Sequence, residues 1–434
     1  MQERERPGWW RETALVAALS AVVVIASLVF QPQIAVNAGQ GWDGAVYYRM
    51  AEEVHSGGPV IAEAPFVYRV LVPLAAASLF PNDLMLGFKV VNALAIAITI
   101  VLMVVWLRLH LDSWLVRAVV IGLFLTQWTG PLRTYFWYPV LVDYWLLPAV
   151  LAGLLIVDRL RQGGRRVIWL PLLCLVSVFA VAVRESGLLI PLAALCTYNP
   201  ICPMGGRLVN VPARLRDLLA IPRLLVLPVM AGAGVFGLLR LVLVSTSSYG
   251  FARATVGWLL RKWPNTYAQG WLIAYGPILV LPIFYWRASW QFLRTHQAEA
   301  AFLAALTVLS WIGGGDTERF VTWGAPIVYL LVGIGLQELA REHVPSLFVV
   351  LLVLAQAVSE RLFWILPAAA LEWEQVSELV LLTPVGNDVS VYNVTAWDAE
   401  PAVRITSQIE YALVTTALLA LLFWMRHRQP RSVS

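Results

Sequence analysis

The sequence predicts an all-α protein, a polytopic bundle of transmembrane helices, and its composition is the main reason. Hydrophobic residues make up 60% of the 434-residue chain, and charged residues make up only 13%. A soluble domain is usually about 45–50% apolar and about 25% charged, so one soluble core could not bury this much apolar surface. The 20 Trp residues point the same way, because Trp favours the membrane–water interface.

Long apolar runs recur along the sequence and define the predicted membrane spans. A transmembrane helix needs about 20 mostly apolar residues, or fewer inside a bundle. This criterion predicts about twelve spans in one transmembrane domain that covers residues 1–434. The predicted spans are 13–31, 84–107, 114–129, 138–157, 167–183, 187–198, 222–244, 270–286, 299–313, 324–340, 346–367 and 407–425.

Basic residues between the spans set the predicted orientation, because short loops rich in Lys and Arg stay in the cytoplasm. With a cytoplasmic N-terminus, the basic segments 158–166, 207–223, 287–296 and 426–431 all fall on the cytoplasmic face. The spans were chosen on apolarity alone, so this agreement is an independent check. We therefore expect an integral protein of the plasma (inner) membrane with both termini in the cytoplasm.

The pattern also excludes several classes of function. The net charge of +5 is spread over these loops rather than gathered in one patch, so no nucleic-acid partner is expected. The three cysteines lack metal-ligand spacing, and no Walker, HExxH or GxSxG motif is present. Membrane lipids are the expected surroundings, and any chemistry must come from polar residues on the outer face.

Two long loops are predicted on that outer face, the first at 32–83 and an acidic one at 368–406, with a middle loop at 245–269 between them. The first loop contains an apolar stretch, 66–80, that Arg69 and Pro73 interrupt. Because it is short and interrupted, it predicts an interfacial or re-entrant helix rather than a full span. Arg69 itself must find an anion or reach the interface, so it is either a phosphate contact or a lipid-headgroup contact.

The start of the first loop holds an acid between two glycines. Asp43 lies between Gly41 and Gly44, which allow a tight turn and the close approach of another molecule. Tyr47 and Tyr48 follow and suit an interfacial position. Asp43 is therefore a candidate general base, or a carboxylate that orients an acceptor hydroxyl. The alternative is a solvated acid that caps the helix starting near residue 45.

Other charged residues fall at the predicted outer ends of spans. Asp143 lies about one turn into an apolar run, where an unpaired carboxylate is unfavourable. Arg184 and Glu185 are adjacent in a tight turn and are either ligand contacts or a structural ion pair.

Three glycines at 313–315 precede Asp316 and Arg319, which are one helical turn apart and could share a face. The glycines leave room for a ligand, or else they end one helix before Asp316 caps the next. Because all these charges share the outer face, they could line one cleft that binds an anionic, lipid-linked substrate. The candidates for substrate binding beside Asp43 are Arg69, Tyr47, Tyr48, Asp143, Arg184, Glu185, Asp316 and Arg319.

The order of these features resembles the GT-C superfamily of integral membrane glycosyltransferases. Trp-Asp-Gly at 42–44, with the tyrosines at 47–48, looks like the first loop of its PIG-V-like mannosyltransferase branch. The segment 65–73 looks like the re-entrant segment that follows in that branch. At the level of motifs the likeness covers only about residues 41–73, and the usual Phe-Phe-Pro element is here Ala-Pro-Phe at 64–66.

The resemblance implies a hexosyltransferase that uses a polyprenyl-phosphate-linked sugar donor and a lipid or glycan acceptor. It implies Asp43 as the catalytic base and Arg69 and Arg319 as phosphate contacts. The chain lacks the Asp-x-Asp pairs of metal-dependent relatives, so no metal or cofactor is expected. The alternatives are a multispan transporter or lipid flippase, which would need midplane charges and repeated spans, or a structural membrane protein without chemistry.

Overall fold

The computed structural model describes residues 9–127, 130–197, 222–247, 250–314, 316–362 and 401–428. The predicted acidic loop at 368–406 lies outside these residues except for its last six positions. Most of the described chain is α-helical. The helices are α1 Trp9–Phe30, α2 Asp43–His55, α3 Leu71–Leu79, α4 Leu84–His110, α5 Trp114–Thr126, α6 Pro131–Trp137, α7 Leu146–Arg161, α8 Arg166–Val183, α9 Leu189–Cys196, α10 Pro222–Val242, α11 Phe251–Arg261, α12 Pro264–Tyr275, α13 Val280–Phe284, α14 Trp286–Thr295, α15 Gln297–Ile312, α16 Thr317–Val321, α17 Ala325–Arg341, α18 Ser346–Ser359 and α19 Pro401–Arg428.

Six helical stretches of the described chain are long and apolar enough to cross a membrane, so the chain is an integral membrane protein, as predicted. Each predicted span also overlaps at least one of the helices above, whereas the count of about twelve spans stays a prediction. The six stretches are Leu84–His110, Arg166–Val183, Leu224–Val242, Pro264–Phe284, Thr317–Arg341 and Ile405–His427.

The first outer loop folds into short elements that pack on α4. α2 packs against α3, and α3 packs against α4. A two-residue parallel pairing joins β1, Ile61–Ala62, to β2, Val244–Ser245. A helix is present where the sequence predicted one, but it begins only at Leu71, after a 3₁₀ turn at Phe66–Tyr68. Pro73 lies in its first turn, where a helix tolerates proline.

The predicted span at 138–157 begins later than expected. Residues 139–142 are not helical, a 3₁₀ turn follows at Asp143–Trp145, and α7 starts at Leu146. The buried amide of Asn92 on α4 donates to the backbone oxygens of Pro139 and Leu141, at 2.7 and 2.8 Å. These bonds satisfy backbone groups that a helix would otherwise satisfy internally, so the chain can enter the bundle in an irregular conformation.

Two amphipathic helices occupy segments that the sequence analysis treated as loops. α11 lies in the predicted outer loop at 245–269, and its Phe251 and Leu260 are exposed. α14 lies in the predicted cytoplasmic segment at 287–296, and its Trp286 and Trp290 are exposed. Both were missed because each mixes arginines with apolar residues and is therefore too polar to register as a span.

Candidate functional site

Four carboxylates and three arginines from distant parts of the chain form a cluster of ion pairs. It lies at the end of the bundle that the sequence predicts to face outward. The pairs are Asp43 with Arg319, Asp316 with Arg319, Asp143 with Arg184, and Glu185 with Arg69. The prediction that these charges gather in one place agrees with this geometry. Their catalytic and binding roles stay predictions.

Asp43 is the first residue of α2, and its carboxylate faces the cluster. Its Oδ2 accepts a hydrogen bond from Nη2 of Arg319 at 3.0 Å. About a quarter of each side chain is exposed, 27% for Asp43 and 24% for Arg319. Asp43 is thus held by a guanidinium and remains accessible to an incoming molecule. This differs from the alternative that the sequence allowed, a solvated acid that caps the helix.

Tyr138 explains the glycines around Asp43. Its hydroxyl accepts a hydrogen bond from the Gly44 N–H at 2.8 Å. A Cβ on Gly41 would lie 2.3 Å from the Tyr138 ring, and one on Gly44 would lie 2.8 Å from it. Gly41 also has a φ of +71°, in the region that favours glycine. The close approach that the glycines permit is therefore that of Tyr138, which fixes the start of α2.

Replacing Gly41 with Ala should destabilise the protein by about 2–4 kcal/mol, the sum of left-handed backbone strain and a clash with Tyr138. Gly57→Ala is a matched control, because Gly57 has the same φ of +71° and a Cβ added there would meet no atom of the described chain within 4 Å. The control should lose only about 1–2 kcal/mol. Thermal unfolding in detergent measures both, and equal losses would show that Tyr138 does not constrain this turn.

Arg69 ties the first outer loop to the turn between α8 and α9. Its Nε and Nη2 donate to both oxygens of Glu185, at 2.9 and 2.5 Å, and its Nη1 donates to the Tyr47 hydroxyl at 2.9 Å. The Arg69 side chain is only 4% exposed. Burial raises the pKa of Tyr47 to about 12, so this residue stays a neutral phenol. Arg69 thus lies in an internal ion pair, which neither alternative from the sequence anticipated.

The alternative that Arg184 and Glu185 pair with each other is wrong. Arg184 has an extended backbone, with φ −162° and ψ 141°, and neighbouring side chains diverge in such a conformation. Arg184 therefore turns to Asp143, and Glu185 turns to Arg69. Arg184 and Asp143 are both buried, and the Arg184 guanidinium lies 4.7 Å from the centre of the Trp323 ring. Asp143 lies in the 3₁₀ turn before α7 rather than one turn inside that helix.

Asp316 and Arg319 share a face, as predicted. Nη1 of Arg319 lies 3.3 Å from Oδ2 of Asp316, across the first turn of α16. Asp316 occupies the N-cap position, yet its side chain makes no capping hydrogen bond. Its carboxylate instead holds the guanidinium that also contacts Asp43. Gly315 lies outside the described residues.

Tyr48 is not brought into the cluster. Its ring stacks on Phe88 of α4, with ring centres 6.2 Å apart. Among the described residues, no group of three or more His, Cys, Asp or Glu side chains could hold a metal ion.

Lys262 is a residue that the sequence analysis missed. Its Nζ donates to the backbone oxygens of Ser310 and Gly314, both at 2.7 Å, and to Oγ1 of Thr317 at 2.8 Å. These bonds hold the glycine-containing turn that carries Asp316. No sequence signal marks Lys262, because its three partners follow about 50 residues later and are mostly backbone atoms.

Lys262→Met should loosen this turn, because two backbone oxygens lose a charged donor and each such bond contributes about 1.5–3 kcal/mol. Hydrogen–deuterium exchange should then be faster across residues 313–324. Arg253→Met is the control, since Arg253 is an exposed cation on the adjacent α11. Unchanged exchange in Lys262→Met would show that the turn is held by other contacts.

Comparison with known proteins finds a similar structure but no similar sequence. No protein-family model matches the sequence, and no curated protein sequence matches it. The three-dimensional structure is similar to that of a protein crystallised with a lipid phosphate. That protein is ArnT from Cupriavidus metallidurans, crystallised with undecaprenyl phosphate. The TM-score is 0.53 over 97% of this chain and 79% of ArnT, with 15% sequence identity, so the chain shares the ArnT fold.

Proposed function

We propose that this protein is a membrane glycosyltransferase of the GT-C type. It would move a sugar from a polyprenyl-phosphate-linked donor to a lipid or glycan acceptor on the extracytoplasmic face. The observation that carries the proposal is the partly exposed Asp43–Arg319 pair, which sets a carboxylate beside a guanidinium. Two likenesses support it: the shared fold with ArnT, a GT-C glycosyltransferase, and the first-loop motifs.

The pair suits a direct displacement. The acceptor oxygen attacks the anomeric carbon of the donor and its proton passes to Asp43. The bond between that carbon and the phosphate oxygen breaks, and its electron pair leaves with the polyprenyl phosphate. Arg319 stabilises the charge that develops on this phosphate. Inversion at the anomeric carbon follows from a single displacement.

Arg319 is a better candidate for the phosphate contact than Arg69. Its side chain is 24% exposed, whereas that of Arg69 is 4% exposed and is bonded to Glu185 and Tyr47. We assign Arg69 and Arg184 to the framework that holds the outer elements together. Tyr48 is proposed to pack α2 on α4 rather than to bind substrate.

The proposal also includes several finer features that the sequence predicts. They are about twelve spans, a re-entrant or interfacial helix around α3, cytoplasmic termini, a location in the plasma (inner) membrane, transfer of a hexose, and membership of the PIG-V-like branch. The basic segments support the orientation. The motifs in residues 41–73 support membership of the PIG-V-like branch.

A reconstitution experiment tests the proposal. The purified protein in proteoliposomes would be given polyprenyl-phosphate sugars with labelled sugar and labelled phosphate, together with a lipid and glycan extract as acceptor. We expect the sugar label to move to the extract while labelled polyprenyl phosphate accumulates. Movement of the intact donor between leaflets, without cleavage, would instead identify a transporter or flippase. If the protein shows neither sugar transfer nor movement of the donor, the proposal is overturned.

A further inference from the structure

The arginines of the cluster are all engaged by acids, and this has a consequence for anion binding. Arg69 binds Glu185, Arg184 binds Asp143, and Arg319 binds both Asp43 and Asp316. The cluster holds three arginines against four carboxylates, so its formal charge is negative. A phosphate cannot be attracted to such a site by excess positive charge. Acids already occupy both terminal nitrogens of Arg319, so a phosphate that binds this guanidinium through Nη1 or Nη2 competes with a carboxylate.

Arg319 is the arginine at which such an exchange is possible. The side chains of Arg69 and Arg184 are only 4% and 3% exposed, so an incoming molecule does not reach them. The Arg319 side chain is 24% exposed, and the side chains of its two partners are also partly exposed, 27% for Asp43 and 35% for Asp316. The two acids use different nitrogens of Arg319. Asp43 lies 3.0 Å from Nη2, and Asp316 lies 3.3 Å from Nη1.

We infer that Arg319 is a latch that exchanges the Asp43 carboxylate for the phosphate of the lipid-linked donor. The donor phosphate takes the place of Asp43 on Nη2, while Asp316 keeps its hold on Nη1 and so retains the guanidinium in the site. Asp43 is then released as a free carboxylate only when a donor is present. The inference rests on the proposed function and adds an ordered coupling between donor binding and the base.

The exchange makes chemical sense for both partners. Oδ2 of Asp43 accepts a hydrogen bond from Nη2 of Arg319, so this oxygen is engaged before the donor binds. A donor phosphate that takes Nη2 therefore frees Oδ2 to accept a hydrogen bond from the acceptor hydroxyl whose proton must be taken. The guanidinium meanwhile gains a phosphate partner, which its planar array of donors suits well.

A binding experiment on four proteins tests the latch, with polyprenyl phosphate as the probe in detergent micelles. Asp43→Asn should bind it about five-fold more tightly than the wild type, because no carboxylate competes for Arg319. Arg319→Gln should bind it more weakly. The decisive protein is the double variant Asp43→Asn/Arg319→Gln, which should bind no better than Arg319→Gln. Melting temperatures of all four check that each is folded.

The double variant separates the latch from simple charge repulsion. If Asp43 merely repelled the phosphate, its replacement would improve binding equally with and without Arg319, and that result would overturn the latch. Unchanged or weaker binding in Asp43→Asn would also overturn it. Failure of the proposed function looks different, since the wild-type protein would then neither bind polyprenyl phosphate nor transfer sugar. If the wild type transfers sugar but Asp43→Asn does not bind polyprenyl phosphate more tightly, the latch is refuted and the proposed function stands.

Discussion

Replacing Asp43 with Asn should lower the rate of sugar transfer by about 100- to 10,000-fold, the usual contribution of a general base. Asn has nearly the same shape and can still contact Arg319, but it cannot accept the acceptor proton. The loss should therefore appear in kcat, and the KM for the donor should not rise. Transfer from a radiolabelled polyprenyl-phosphate sugar in proteoliposomes measures both constants.

Glu63→Gln is the matched control for this variant. Glu63 is an exposed acid on the same outer loop, so its replacement removes the same charge without touching the cluster. It should leave transfer unchanged within about two-fold, since exposed charges contribute little. Full activity in Asp43→Asn would refute the role of Asp43 as the base. Equal losses in the two variants would indicate a general electrostatic effect.

The largest effect on stability should come from the buried pair of Asp143 and Arg184. Asp143→Leu leaves the Arg184 guanidinium buried without its carboxylate and should destabilise the protein by about 3–5 kcal/mol. The double variant Asp143→Leu/Arg184→Met removes both charges and should recover most of this loss. Chemical or thermal unfolding in detergent provides the comparison.

Glu338→Gln is the control for the buried pair. Glu338 contacts Arg341, whose side chain is 65% exposed, so breaking this surface pair should change stability by less than about 1 kcal/mol. If Asp143→Leu were no worse than Glu338→Gln, the buried pair would not hold the outer end of the bundle together. If the double variant failed to recover, packing rather than charge would be responsible.

Hydropathy predicted the membrane bundle because apolar runs are local in sequence. The residues of the cluster were also found, since charges at the ends of apolar spans are unfavourable unless they have a partner. Their pairing could not be predicted. Asp43 and Arg319 are 276 positions apart, and Arg69 and Glu185 are 116 apart, so the packing of distant helices decides which charges meet.

The sequence contains a usable signal for two further features of the structure and none for a third. Tyr47 follows Asp43 by four positions, so both lie on one face of α2, whereas Tyr48 lies about 100° further round the helix. Helical spacing could therefore have separated the two tyrosines. The amphipathic α11 and α14 show a 3.6-residue period that a search for continuous apolar runs ignores. Lys262 could not have been found, because its hydrogen-bond acceptors are largely backbone oxygens.

The most direct test of the account is an experimental structure of the Asp43→Asn variant with a polyprenyl-phosphate sugar. Since we expect this variant to bind the donor but to transfer its sugar only slowly, the complex should persist. We expect the phosphate within hydrogen-bonding distance of Arg319, Asp316 still on the same guanidinium, and the anomeric carbon facing residue 43. A donor bound away from Arg319, or with its sugar directed away from residue 43, would contradict the assignment of this cluster as the site of glycosyl transfer.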